Sequence, residues 1–222
     1  MEPSCAPAQG VPPADMPHRV IVVGGGEHAR VVAEAILARG ELDLLGFVDP
    51  LPADALAPGV RYLGGDDVLD EYPDSRLVLG LGAVLQPGRR RALVDSIGTG
   101  RRWIAVVHPT AYVAPSAHLG SGAVVLPHAV IHARADVGAH VIVNTGAVVE
   151  HEVVVGAYAQ LGPRTVVGGG AIVGEAAFIG MGAAVRDHRR IGAGAVVGMG
   201  AVVVGDVPDG RRVLGVPARI QP

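Results

Sequence analysis

The chain predicts a mixed fold, a small parallel α/β domain followed by a parallel β-helix, and three observations carry that expectation. In residues 18–104, short apolar runs ending in glycine or Asp-Pro alternate with helical patterns. From Val107 to Val203 an aliphatic residue returns at every sixth position, with no polar residue in the series. The composition is half hydrophobic but only 3% aromatic, with 33 glycines. That suits tightly wound strands of Val, Ile and Ala better than a bulky aromatic core.

The opening "MEPSCAPAQGVPPADMP", residues 1–17, reads as a disordered Pro/Ala tail. "RVIVVGG" is an apolar strand candidate ending in glycine. "EHARVVAEAILARG" then carries Val31, Val32, Ala35, Ile36 and Leu37 at helical spacing and stops at Gly40. "LDLLGFVDP" and "RLVLGLG" are further strands, and "PGRRRALVDSIGTG" is a second helix closed by glycines. Strands alternating with helices imply a Rossmann-like parallel sheet with crossovers over residues 18–104.

Residues 105–222 follow a different rule. The series Val107, Val113, Leu119, Val125, Ile131, Val137 continues through Val149 and Val155 to Val197 and Val203. Four residues after each member the side chain is usually small, as at Ala123, Ala147 and Ala171, and glycine often follows the aliphatic position, as at Gly138, Gly156 and Gly168. A period of six fits neither a helix nor an amphipathic strand. It is the hexapeptide signature of a parallel β-helix, in which the aliphatic residue points inward and the glycine or small residue serves the corner. Stacked coils then lie about 4.8 Å apart.

Two features depart from the pattern. Glu150, His151 and Glu152 stand together between Val149 and Val153. The hexad puts Val149 and Val153 inward and the triplet at the outer surface or a corner, displayed by a rigid scaffold. In "VRDHRRIG", Arg189 falls where a small inward residue belongs. Burying it unpaired is prohibitive, so the coil bulges there or Arg189 turns outward.

Several function classes lose ground on composition. Net charge is −3, without a basic tract suited to nucleic acid. One cysteine, Cys5, allows no internal disulfide and fits a reducing compartment. There is no secretory pattern and no apolar run approaching the ~20 residues that cross a bilayer. The expectation is a cytoplasmic protein.

The hexads end in "GDVPDGRRVLGVPARI", and with the coils before it this ending resembles the left-handed β-helix acyltransferase superfamily. "VVGGGEHARVV", "GFVD" and "LGLG" narrow the match. The chain looks like the bacterial sugar acetyltransferases with a small nucleotide-sugar-binding domain ahead of the β-helix: UDP-4-amino-sugar N-acetyltransferases of bacillosamine synthesis, perosamine N-acetyltransferases and sialic-acid O-acetyltransferases. The resemblance covers residues 18–220. It implies acetyl-CoA as co-substrate, a nucleotide-linked amino sugar (UDP, GDP or dTDP) as acceptor, no metal, and a homotrimer with acetyl-CoA lying along the helix axis between two subunits.

In that family the histidine of the "EHE" triplet is the general base, which assigns the role to His151. The chemistry agrees, because an amine or hydroxyl attacking a thioester must lose a proton and imidazole titrates near working pH. A neighbouring carboxylate fixes the tautomer. The resemblance gives this to Glu152, although Glu150 flanks the same ring. By the same resemblance Asn144 lies close to the reaction centre, Gly169 offers a backbone N–H to the acetyl carbonyl, and Gln160, Met181 and Met199 contact coenzyme A. Gly24, Gly26, Glu27, His28, Asp49 and Gly82 line the nucleotide pocket, where glycines let a phosphate approach a helix N-terminus.

This sequence departs from the family at Gln160, where a second histidine is usual, at Glu27, where a glycine is usual, and at Pro50, where a second acid is common. Rival readings are specific. "GGGEHA" with Asp49 fits the dinucleotide fingerprint, but the domain has room for about one mononucleotide half. Histidines 118, 128, 132, 140, 151 and 188 invite a zinc site of the γ-carbonic anhydrase type, with His132 near His151, yet no third ligand is evident. A sugar O-acetyltransferase and a non-catalytic nucleotide-sugar-binding protein complete the alternatives.

Overall fold

The computed structural model describes residues 18–82, 88–98 and 100–221; the tail 1–17, with Cys5, lies outside them. The first part is a five-stranded, all-parallel sheet. Its elements are β1 (His18–Val23), α1 (Glu27–Arg39), β2 (Leu42–Val48), β3 (Tyr62–Gly64), a 3₁₀ turn (Asp66–Glu71), β4 (Arg76–Leu79), α2 (Arg89–Ile97) and β5 (Arg102–Trp103). The strand order is β3-β2-β1-β4-β5. Three of these strands and both helices fall where the alternating pattern puts them. β3 and β5 are too short to carry a period, and pairing with longer neighbours makes them strands. α1 stops at Gly40, whose φ of 67° is the left-handed conformation that closes a helix.

The second part is a parallel β-helix of two-residue strands recurring every six residues. Backbone pairing links residues 18 apart, as in Val130↔Val148↔Val166, so three hexads make one coil. Three faces result. Face one holds six strands from Tyr112–Val113 to Val202–Val203, and face two holds five from His118–Leu119 to Arg190–Ile191. Face three runs from Val106–Val107 to Val196–Val197 and closes with Arg212–Leu214 and Arg219–Ile220. The aliphatic series from Val125 to Val203 is buried, with Ala129, Ala147 and Ala171 between its members.

The glycines after the aliphatic positions do a different job from the expected one. A Cβ on Gly168 would lie 2.6 Å from the backbone nitrogen of Asp187, one coil on. The missing side chain allows coils to stack, and the left-handed corner falls two residues later. That corner is often not glycine: Glu152 takes it with φ 59° and His188 with φ 54°.

Arg189 turns outward without a bulge. Ile172 still pairs with Arg190 and donates to the Arg189 carbonyl at 2.9 Å. The Arg189 Nε donates to the Asp187 carbonyl at 3.4 Å, and Nη1 lies 3.8 Å from Asp206 Oδ1.

The two parts share a core. Val32, Ala33 and Ile36 of α1 pack with Val106, Val124, Leu126 and Ile142, so α1 covers the start of face three. From α2, the buried Arg90 donates to the Tyr158 carbonyl at 3.1 Å and to the His140 carbonyl. Arg91 pairs with Glu175 and sits over the Tyr158 ring. The α/β part is thereby fixed to face three and to the edge between faces two and three.

Candidate active site

The strand Val148–Val149 belongs to face one and Val154–Val155 to face two, so the polar triplet forms the turn on the edge between them. His151 is exposed there, with 59% of its side chain open to solvent. Its Nδ1 lies 3.6 Å from Glu152 Oε2. The other carboxylate oxygen of Glu152 is 3.5 Å from Arg134 Nη1, one coil earlier. The Glu150 Oε1 lies 4.0 Å from His132 Nε2, one coil earlier. The His132 ring stands edge-on to Tyr112, with centroids 6.3 Å apart. Of the two candidate carboxylates, Glu152 is the one beside Nδ1.

Gly169 lies one coil beyond His151 on the same edge. A Cβ there would meet His151 Nε2 at 2.6 Å and Cε1 at 2.7 Å. The ring thus rests against a backbone without a side chain, with Nε2 toward it and Nδ1 toward Glu152. A carboxylate beside Nδ1 favours the proton on that nitrogen and leaves the lone pair on Nε2.

Asn144, Met181 and Met199 occupy a different edge, the one between faces three and one. The Asn144 Oδ1 accepts from the Thr145 N–H at 2.8 Å. Met181 and Met199 are 51% and 73% exposed, unusual for large apolar side chains. Gln160 is buried in face three between Ile142 and Phe178. Within one chain the expected site residues therefore fall into separate groups. His151, Glu152 and Gly169 share one edge, Asn144 and the two methionines share the next, and face one lies between them.

The nucleotide-side residues gather at the carboxyl ends of β1, β2 and β4. A cavity of about 350 Å³ is lined by Gly24, Asp49, Pro50, Asp66 and Arg89 among others. Asp49 shapes its wall, accepting from the Gly25 N–H at 2.8 Å and the Leu51 N–H at 3.0 Å. Gly26 caps α1, and Glu27 stands exposed on its first turn. His28 packs against Gly82, where a Cβ would meet its ring at 3.3 Å. Burial, and secondarily the Arg90 guanidinium, push the His28 imidazole down to about 4, so it is neutral at physiological pH. Its Nε2 is buried without a hydrogen-bond partner.

Sequence reasoning missed Asp66, Arg89 and Arg90. Asp66 has its carboxyl raised by burial and then by Asp49 and Asp67, and its Oδ1 is buried and unpartnered. The run "GRRRAL" carried a charge signal that was absorbed into the helix reading. Among the described residues no group of three or more His, Cys, Asp or Glu side chains is placed to hold a metal, and no helix is long and apolar enough to cross a membrane.

Comparison with known proteins fits this geometry. The PglD N-terminal domain family matches residues 19–96. The UDP-N-acetylbacillosamine N-acetyltransferase of Bacillus subtilis (strain 168) is 37% identical over 112 residues, 48% of this chain and 50% of that protein. The chain thus aligns with about half the length of this curated relative. The perosamine N-acetyltransferase of Caulobacter crescentus, solved with CoA and GDP-perosamine, is 39% identical, with a TM-score of 0.84 over 91% of this chain and 96% of that one. The acetyltransferase domain of PglB from Neisseria gonorrhoeae FA1090 is 32% identical, with a TM-score of 0.85 over 92% of this chain and 100% of that one. A parallel-sheet domain leading into a left-handed β-helix defines the class. The chain belongs to the PglD-like family of nucleotide-sugar acetyltransferases.

Proposed function

We propose that the protein is an acetyl-CoA-dependent N-acetyltransferase acting on a nucleotide-linked amino sugar. The observation that carries the chemistry is the His151 ring. It is held open on a coil edge, with Nδ1 toward Glu152 and Nε2 over the side-chain-free Gly169. The amine nitrogen attacks the thioester carbonyl, the proton it sheds passes to Nε2, and the tetrahedral adduct collapses with loss of coenzyme A as thiolate. Imidazolium then returns the proton to that sulfur, so no acyl-enzyme forms. The Gly169 N–H is the proposed partner for the oxyanion. Relatives bound to CoA and GDP-perosamine support both ligands.

The same reading assigns Asn144, Gln160, Met181 and Met199 to the thioester and its carrier. It assigns Gly24, Gly26, Glu27, His28, Asp49 and Gly82 to the nucleotide sugar, with residues 18–104 as one domain and 105–222 as the other. A homotrimer reconciles the two edges. The outward column of face one, Tyr112, Val130, Val148, Val166, Ala184 and Val202, is apolar throughout. Three copies with face one on a common axis bring the His151 edge of each against the Asn144–Met181–Met199 edge of the next. A cytoplasmic location follows from the need for acetyl-CoA.

The test is acetyl-CoA-dependent thiol release with UDP-, GDP- and dTDP-linked 4-amino sugars. Turnover with at least one supports the reading. Turnover only with the corresponding 4-hydroxy sugars makes the protein an O-acetyltransferase, and binding without thiol release makes it a binding protein.

A further inference from the structure

Glu150 is the member of the polar triplet that the chemistry above leaves without a task. Glu152 is shared between His151 Nδ1 at 3.6 Å and Arg134 Nη1 at 3.5 Å. Glu150 sits on the face-one side of the same edge, where its N–H donates to the Val167 carbonyl at 3.0 Å directly after the strand Val148–Val149. Few groups meet its carboxylate. From the coil before comes His132, with Nε2 4.0 Å from Glu150 Oε1, too long for a hydrogen bond. Tyr112 stands edge-on to that imidazole at 6.3 Å. The coil after brings Gly168, which has no side chain to offer. Among the described residues no arginine pairs with Glu150: Arg134 is drawn to Glu152, and Arg186 to Asp187. A carboxylate and an imidazole nitrogen thus stand close together, both partly exposed and neither neutralised by a fixed cation.

The acceptor comes from this side. α1 packs on Val106, Val124 and Ile142, which begin three successive coils, the third being the coil of His151. The nucleotide domain therefore stands beside the N-terminal coils, and a sugar reaching from it approaches the edge on the side of His132 and Glu150. The nucleophile it carries needs a second proton acceptor. A sugar amine, like an α-amino group that titrates near ~8, is mostly an ammonium at pH 7. It has no lone pair until one proton leaves, and the lone pair on His151 Nε2 is reserved for the proton shed in the attack itself.

We infer that Glu150 and His132 form the subsite for the acceptor's ammonium group and select an amine over a hydroxyl. This rests on the N-acetyltransferase reading above. The Glu150 carboxylate accepts a charge-assisted hydrogen bond from the ammonium. His132 Nε2 takes the first proton and passes it to solvent, which frees the nitrogen lone pair to attack the thioester carbonyl. The next N–H proton goes to His151 and from there to the departing thiolate. One ammonium and one thioester give one amide, one thiol and one proton released to solvent. A sugar hydroxyl brings no charge, so its binding would desolvate Glu150 without a counter-ion.

The experiment measures steady-state transfer to the nucleotide 4-amino sugar that the wild type turns over, at pH 7 and pH 9, with the matching 4-hydroxy sugar as competitive inhibitor. Glu150→Gln should raise the amino-sugar KM about tenfold at pH 7. The rise should shrink at pH 9, where solution supplies the free amine. Inhibition by the 4-hydroxy sugar should not weaken. Glu150→Asp keeps the charge and should recover most of the lost affinity. His132→Gln should lower kcat at pH 7 and regain it at pH 9. A KM unchanged by Glu150→Gln, a loss in either Gln variant that is the same at both pH values, or 4-hydroxy inhibition weakened in step with the KM overturns the inference. No transfer to any amine by the wild type would instead overturn the N-acetyltransferase reading itself.

Discussion

At His151 the two ring nitrogens have neighbours with opposite qualities. Glu152 supplies a charge beside Nδ1, and Gly169 supplies only space beside Nε2. Gly169 has an ordinary backbone conformation, so alanine fits the chain; its Cβ, however, would stand 2.6 Å from Nε2. Gly169→Ala should therefore leave the melting temperature in place and lower kcat by about a hundredfold, since a displacement near 1 Å costs that much at a reacting centre. An unchanged kcat would mean that the ring's position over Gly169 has no catalytic meaning. This contact was within reach of the sequence, because 151 and 169 differ by one coil of 18. Reading by hexads alone does not distinguish residues on one edge from residues on successive edges. That is why Asn144, seven residues before His151, stands across face one from it.

Among the elements, the junction of α1 and α2 with the coils buries two neutral imidazoles. Burial, with Arg90 adding to it, pushes both His28 and His140 down to about 4. The unfolded chain binds a proton at each near pH 6.5, and the folded chain does not until about pH 4. Stability is thus fully present above pH 6.5 and declines as pH falls from 6.5 toward 4, by up to about 1.4 kcal/mol per pH unit for each ring. Urea unfolding between pH 7.5 and 5 should show that decline, and His28→Gln should roughly halve its slope; a flat profile would contradict the buried, neutral state. The junction is also where sequence reading ran out. β-helix coils announce themselves because every hexad repeats one packing requirement. Arg90 bonds to carbonyls 50 and 68 residues away, a separation with no local signature. β3 and β5 exist only through their sheet partners. The glycines that follow many of the aliphatic positions are visible in the sequence, but close approach of the next coil cannot be told from corner conformation by spacing, so their role is misassigned there.

In one copy of the molecule the proposed site residues fall on two edges, with an apolar face between them. Val148 and Val166 are stacked outward neighbours near the middle of that face. Val166→Asp should place three buried carboxylates near the proposed axis and convert a trimer to monomers in sedimentation velocity, with loss of acetyl transfer. A wild-type monomer would contradict the trimer itself, and a trimer untouched by the substitution would put its axis on another face. The most direct measurement is pre-steady-state thiol release by His151→Ala, with acetyl-CoA and the nucleotide amino sugar that the wild type turns over. The predicted rate is lower by at least about 10²–10⁴-fold, with folding and both ligands' binding retained. A rate within a few-fold of the wild type would show that the proton leaves the amine by another route, and the edge built around His151 would not be the active site.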